Sequence, residues 1–402
     1  VSRLNRLYRD ARARFEADPA FADRSRRRVV ALQAGDPPTL AAWRAIVAES
    51  TRHFTQVYER LDVLLTDADV AGESSYNDRL PQVAAELAAA GVAVPSHGAL
   101  CVFFDDVRSP DGMPVPLIVR KSDGGYGYAA TDLAALRHRV DPLRADRILY
   151  VVDARQALHF RMVFDTARRA GWLPDRVAAY HLPFRTVLGP DGRPFRTRAG
   201  ETTRLVDLLD AAVDRARAVV AEKWPDLDPA AADERARQIG VGAVKYADLS
   251  TNRTRDYVFD PARMLSLTGD TAVYLQFAHA RIRSILRRAD ATAGTGAGHG
   301  GTGAGTVGVD PSVPLTPAER RLALHLDGFA DAVTETAGAY EPHRLCGYLY
   351  ALAQAYTRFY ESCPVLAAPP AVRGNRLVLC RLTGQVLRTG LGLLGIAAPE
   401  EL

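Results

Sequence analysis

Tyr128 and Asp132 stand one helical turn apart on either side of Thr131, so both side chains can reach a single ligand at the mouth of a helix. A carboxylate there pairs well with a cation, and best with a planar one that donates charge-assisted hydrogen bonds to it. Asp153 and Gln156 follow directly on the apolar run 148–152, where an open α/β sheet holds its ligands. A third group is basic. The loop Arg193-Pro194-Phe195-Arg196-Thr197-Arg198-Ala199-Gly200 precedes a helical stretch, so phosphate can meet guanidinium groups and free backbone N–H donors together. Taken singly, each group also fits a plainer role: a helix cap beside a packed tyrosine, a loop after a strand, a solvated arginine-rich turn.

The elements that must position these residues follow from periodicity. Leu40, Trp43, Ile46, Val47, Phe54, Val57, Tyr58 and Leu61 recur near a helical period, and Asp36 before Pro37 and Pro38 marks a helix start, so the first segment reads as a packed helical layer. From about Gly98 the period changes. Segments 99–104 and 117–119 read as strands joined by the turn Ser109-Pro110-Asp111-Gly112. A helix from near Thr131, a buried strand 147–152, a helix 156–170 and a short strand ending near His181 give the order βαβ, which implies a parallel sheet with a right-handed crossover. The turn Gly189-Pro190-Asp191-Gly192 leads into the basic loop and a helix from about Glu201. Beyond it the pattern is helical, interrupted by a Gly, Ala and Thr run at 291–309 that reads as a flexible linker. Helices at 318–337, 343–360 and 375–394 then form a compact domain, and no internal repeat is visible.

Composition narrows the class. A chain of 402 residues exceeds what one core usually organises, so two or three folded units are expected. No apolar run is long enough to cross a bilayer and the opening residues hold no signal-peptide core, which points to the cytoplasm. Cys101, Cys346, Cys363 and Cys380 never form a CxxC pair; reduced, buried thiols are expected, and no metal-ligand set is evident. Net charge is +4, yet only Lys121, Lys223 and Lys245 are lysines among 51 basic side chains. Any phosphate clamp must therefore rely on arginine.

In chain order, several blocks resemble the bacterial arginyl-tRNA synthetases. They are Glu73-Ser74-Ser75-Tyr76-Asn77; Arg120-Lys121-Ser122-Asp123-Gly124-Gly125-Tyr126-Gly127-Tyr128; Thr131-Asp132; Gln156 with His159; Gly192 to Gly200; GVGAVKYADLSTNRT from Gly240; and PHRLCGYLYALAQAYTRFYESCPVL from Pro342. The resemblance spans essentially the whole chain. It implies an α/β plus all-α fold: the C-terminal half of a class I Rossmann-like catalytic domain with a helical insertion, a helical stem-contact region and a helical-bundle anticodon-binding domain. The expected boundaries are 1–200 for the partial catalytic domain (insertion 1–122, second Rossmann half 123–200), 201–290 for the stem-contact region, 291–313 for the linker and 314–402 for the anticodon-binding domain. The implied activity is ATP-dependent attachment of L-arginine to tRNA(Arg) through an arginyl-adenylate, with magnesium entering only as the partner of ATP. Tyr128, Asp132 and Gln156 match the family's arginine-binding residues. Arg196, Thr197, Arg198, Ala199 and Gly200 stand at its ATP-binding KMSKS loop, with Arg196 and Arg198 as the catalytic cations.

The sequence departs from the family in lacking the N-terminal part that carries the HIGH motif, and in Gly127 where a bulkier apolar residue is usual. Three expectations follow: a partial chain of the full enzyme, with the missing N-terminal segment supplied by the full-length polypeptide; a catalytically inactive tRNA-binding paralogue; or half of a split synthetase needing a partner. The first is the expectation carried forward.

Overall fold

In the computed structural model, residues 2–189, 191–193, 204–294 and 309–402 are described. The chain divides into two units, one ending at Phe184 and the other beginning at Arg185.

The first unit opens with three helices, α1 (Ser2–Ala17), α2 (Pro19–Gln33) and α3 (Pro37–Arg60). Asp36 caps α3 as its sequence implies, Oδ2 accepting from the Thr39 backbone N–H at 3.0 Å. The expected packed layer does not form. Ile46 is 53% and Phe54 55% exposed, and a groove of about 920 Å³ lies between α2 and α3. Helical periodicity reports an apolar face but not what covers it.

Next come α4 (Leu80–Ala89) and an antiparallel sheet of β1 (Val94–Ser96), β2 (Ala99–Val102) and β3 (Leu117–Arg120), in that order. The second strand ends two residues earlier than its apolar run suggests. The turn at Gly112 takes a positive φ of 78° and closes on Ser109. After α5 (Tyr128–Val140), β4 (Arg147–Asp153), α6 (Ala157–Arg169) and β5 (Ala178–Phe184) make the expected βαβ unit, with Arg147 opposite Ala178 in parallel register. One core serves these elements. Leu80, Leu87, Val119, Leu133, Leu136 and Val163 are buried in it, and Tyr150 packs against Phe160 at 4.7 Å. The opposite face of β4 is bare, Leu149 being 42% and Val151 62% exposed.

The second unit begins with β6 (Val187–Leu188), which pairs in parallel with β7 (Tyr257–Val258) across α7 (Leu205–Lys223) and α8 (Pro229–Ser250). The helix expected near Glu201 is seen from Leu205, residues 201–203 lying outside the described set. Then follow α9 (Pro261–Met264), α10 (Ala272–Gly294), α11 (Pro317–Asp327), α12 (Phe329–Ala339), α13 (Pro342–Ser362) and α14 (Pro370–Leu393). The run 318–337 is thus two helices broken at Gly328, and most of the Gly/Ala/Thr stretch, 295–308, lies outside the described residues. Tyr246 of α8 is buried in the same core as Leu275, Ile282, Leu349, Tyr356, Phe359 and Leu387, and its hydroxyl donates to Asp270 Oδ1 at 2.6 Å. Gln276 is fully buried and donates from Nε2 to the Gln238 and Ala397 carbonyls. All four cysteines are free thiols and buried. No described helix is long and apolar enough to cross a membrane.

Gly240 lets α7 and α8 approach closely: a Cβ there would lie 2.7 Å from the Val213 backbone. Alanine ordinarily gains about 1 kcal/mol over glycine inside a helix, but overpacking costs about 1–3 kcal/mol, and backbone cannot swing aside as a side chain can. Gly240→Ala should therefore lower the midpoint of chemical denaturation with an unchanged slope; an equal or higher midpoint would show that the two helices are free to separate.

Candidate functional site

The helix carrying Tyr128 and Asp132 begins at Tyr128 and not at Thr131. Gly127 occupies the cap position in extended backbone (φ −115°, ψ −172°) without a side-chain cap. Glycine there costs only a few tenths of a kcal/mol relative to better caps, and Ala129-Ala130 are strong helix formers. Thr131 turns its hydroxyl back onto the Tyr128 carbonyl at 3.0 Å instead. Asp132 consequently sits in the second turn of α5.

Its carboxylate meets α6. His159 Nε2 lies 2.7 Å from Asp132 Oδ2, and since an ionised carboxylate can only accept, the ring N–H donates. His159 is in the first turn of α6, just past the carboxyl end of β4, with its ring edge-on to Phe160 at 5.1 Å. Phe160 in turn stacks on His181 of β5 at 5.5 Å. The bond therefore ties α5 to α6 at the end of the parallel pair where ligands bind.

A second carboxylate, that of the exposed Glu73, lies within electrostatic reach of the first. The 3₁₀ segment Glu73–Arg79 packs on α5, with Arg79 Nη1 2.9 Å from His138 Nδ1 and Tyr76 edge-on to the same imidazole. Burial, and after it the charge of Asp132, raises the Glu73 carboxyl above its ordinary range. No lysine or arginine of the described residues forms an ion pair with Asp132 or Glu73. Among the described residues, the site thus holds two carboxylates with the His159 imidazole as the side chain hydrogen-bonded to one of them. Nearby, burial pushes Tyr150 up to about 12 despite the Arg139 guanidinium that donates to its hydroxyl at 2.9 Å.

The other candidates separate. Tyr128 is 71% exposed at the start of α5. Gln156 is exposed at the start of α6 and its side chain makes no hydrogen bond; the residue of this helix that reaches Asp132 is His159, one turn on. Asp153 spends its acceptors on Arg155, taking its backbone N–H and Nε at Oδ1 and its Nη2 at Oδ2, which pulls the carboxyl down to about 2. It is a local cap. Arg196, Thr197, Arg198, Ala199 and Gly200 lie outside the described residues. Sequence reading passed over Glu73 and His159 as individuals, although each stood in a motif block. A lone carboxylate in an otherwise neutral pentapeptide was the available signal.

In the second unit Tyr356 and Phe359 are core, Tyr348 donates its hydroxyl to the His325 carbonyl, and Tyr360 is 42% exposed beneath the Arg281 guanidinium.

Residues 1–261 match the family profile of tRNA synthetases class I (R), catalytic domain, and residues 275–402 that of the DALR anticodon binding domain. The chain is 61% identical over 402 residues to an arginine–tRNA ligase of Frankia casuarinae, covering 100% of this chain and 66% of the relative. It is 57% identical to an arginine–tRNA ligase of Streptomyces avermitilis, covering 100% and 67%. It spans about two thirds of the length of these curated relatives. Among solved structures, an arginyl-tRNA synthetase of Plasmodium falciparum superposes with a TM-score of 0.77 at 26% identity, over 96% of this chain and 62% of that one. One of Thermus thermophilus gives 0.73 at 27%, over 95% and 70%.

Because the folded Glu73 carboxyl is raised, the native state holds its proton more tightly than the unfolded chain does; that stabilisation is present in acid and lost as pH rises through the raised value. Asp132→Asn should bring Glu73 part of the way back toward its ordinary value, with burial keeping the remainder. A pH titration of the Glu73 carboxyl carbon resonance reads this directly, and an identical titration in the variant would remove Asp132 from its surroundings.

Proposed function

This chain belongs to the arginyl family of class I tRNA synthetases, and on that premise we propose that it carries the arginine-recognising and tRNA-binding part of an arginine–tRNA ligase. In this reading ATP activates arginine as an adenylate with release of pyrophosphate, and the 3′ end of tRNA(Arg) takes the arginyl group with release of AMP. The supporting observation is the pair of carboxylates, Asp132 held at 2.7 Å by His159 and Glu73 raised by partial burial and then by the charge of Asp132, with no described lysine or arginine paired to either. A guanidinium between them relieves their repulsion and donates planar, charge-assisted hydrogen bonds to Asp132. Tyr128 and Gln156, at the starts of α5 and α6, are proposed to complete the arginine site.

Arg196 and Arg198, with Thr197, Ala199 and Gly200, are proposed as the loop that stabilises charge on the ATP phosphates. Magnesium accompanies ATP and is assigned no protein ligand. The same reading makes 1–200 the catalytic part (insertion 1–122, Rossmann half 123–200), 201–290 the stem-contact region, 291–313 the linker and 314–402 the anticodon-binding domain, working in the cytoplasm. The bare Leu149 and Val151 face of β4 supports a polypeptide of the relatives' full length, in which the rest of the catalytic fold covers that face and supplies the other wall of the ATP site.

The test is ATP–pyrophosphate exchange in the full-length polypeptide with arginine and tRNA. A charge-assisted hydrogen bond is worth about 1.5–3 kcal/mol, so Asp132→Asn should raise KM for arginine by roughly tenfold to a hundredfold while KM for ATP stays within about twofold. Equal effects on both substrates would take Asp132 out of arginine recognition.

A further inference from the structure

Outside the carboxylate site, guanidinium groups from two helices converge on a cavity of about 240 Å³ in the second unit. His279 and Arg283 come from α10, and Arg381, Gln385 and Arg388 from one face of α14 at helical spacing. Glu400 enters from the C-terminal segment. Three guanidinium groups thus face one carboxylate in the lining. Their pairing is uneven. Arg283 is ion-paired with Glu400, Arg381 has Asp290 only at 4.0 Å, and Arg388 makes no ion pair among the described residues. Gln385 is exposed and makes no hydrogen bond there.

The imidazole is held in one tautomer. His279 is 1% exposed and its Nδ1 lies 2.9 Å from the Pro399 carbonyl oxygen, which can only accept, so Nδ1 carries the proton. Its other nitrogen is then a lone pair facing a basic lining. A cavity lined by one guanidinium without an ion pair, Arg388, and a second, Arg381, whose carboxylate lies as far as 4.0 Å is suited to phosphate, which accepts from such forks bidentately and with geometric specificity.

We propose that this α10–α14 cleft seats a backbone phosphodiester of RNA, with Arg381 and Arg388 as its open contacts and Glu400 holding Arg283 until the phosphate arrives. The proposal rests on the tRNA reading above and adds a location to it. Glu400 acts as a placeholder whose carboxylate occupies part of the phosphate's position. His279 reports on occupancy: burial lowers its pKa first, Arg283 of α10 and Arg388 of α14 lower it further, and Glu400 and the Pro399 carbonyl oppose them. An added anion beside those guanidiniums raises it.

The experiment measures tRNA affinity of the full chain against salt concentration for the unaltered protein, Arg388→Ala, Arg381→Ala with Arg388→Ala, and Glu400→Gln. Arg388 is exposed, so its loss should leave the thermal midpoint unchanged, and Arg388→Lys should restore part of the affinity. Expected for Arg388→Ala are a loss of about three- to tenfold and a salt slope smaller by about one, with a larger loss in the double variant and a gain for Glu400→Gln. In parallel, inorganic phosphate should move the His279 ring resonances of the unaltered chain and not of the double variant. If the unaltered chain binds tRNA and both arginine variants match it in affinity and slope, the cleft assignment is overturned and the tRNA reading stands. If phosphate moves His279 while tRNA binding ignores the arginines, the cleft is an anion seat that RNA does not use, and the assignment is again overturned. Failure of the unaltered chain to bind tRNA at low salt overturns both.

Discussion

Two carboxylates brought within electrostatic reach, at the place where two helices begin, are a cost that the surrounding structure has to sustain. Asp132 is held there by the His159 ring, and Glu73 by a 3₁₀ segment packed on α5. The segments that carry them are anchored: His159 is braced by Phe160, which is itself stacked on His181, and the 3₁₀ segment that begins at the exposed Glu73 is braced by Arg79 and Tyr76 against His138. An unrelieved like-charge pair is the ordinary signature of a place where a cation belongs. The sheet, the crossover helix and the aromatic stack beneath can all be understood as the frame for that pair.

The two units treat their buried polar groups differently. In the first, the polar contacts near the carboxylates leave acceptor capacity unused. In the second, the Gln276 amide nitrogen, the Tyr246 hydroxyl and His279 Nδ1 meet protein acceptors, mostly carbonyl oxygens, and hold helices and the C-terminal segment together, while Gln276 Oε1 has no partner among the described residues. Phe277, next to Gln276 on α10, is structural too: it stacks on Trp224 and meets the Lys223 ammonium. Among the described residues, Arg388 on α14 makes no ion pair.

Much of the frame was legible in the sequence because it rests on local physics. The apolar run 148–152, the glycine and proline punctuation around it and the helical period after it specify β4 and α6 to within one residue at each end, while β5 runs three residues past its expected end near His181. The start of α5 was misplaced by three residues because threonine is a strong cap in isolation, whereas Gly127 and two alanines make an earlier start cheap. The neighbours of Asp132 were not legible, since Glu73 is 59 positions upstream and His159 27 downstream, and no local rule joins them. Likewise the apolar stripe of α3 was plain, but whether anything lies against it is a property of the folded chain. For 196–200, motif resemblance remains the only guide.

The core of the second unit runs from Tyr246 of α8 through α10 and α13 to Leu391 of α14, so the end of α8 and the terminal helices share one set of buried side chains. Elements that melt into the same interior cannot lose order one at a time at much less than the full unfolding free energy. Backbone amides in α8 and α13 are accordingly bound to exchange with deuterium as a single cooperative block, and a load applied at the far end of α14 is felt at Tyr246 as directly as at its own neighbours. That makes the region a rigid lever and not a hinge.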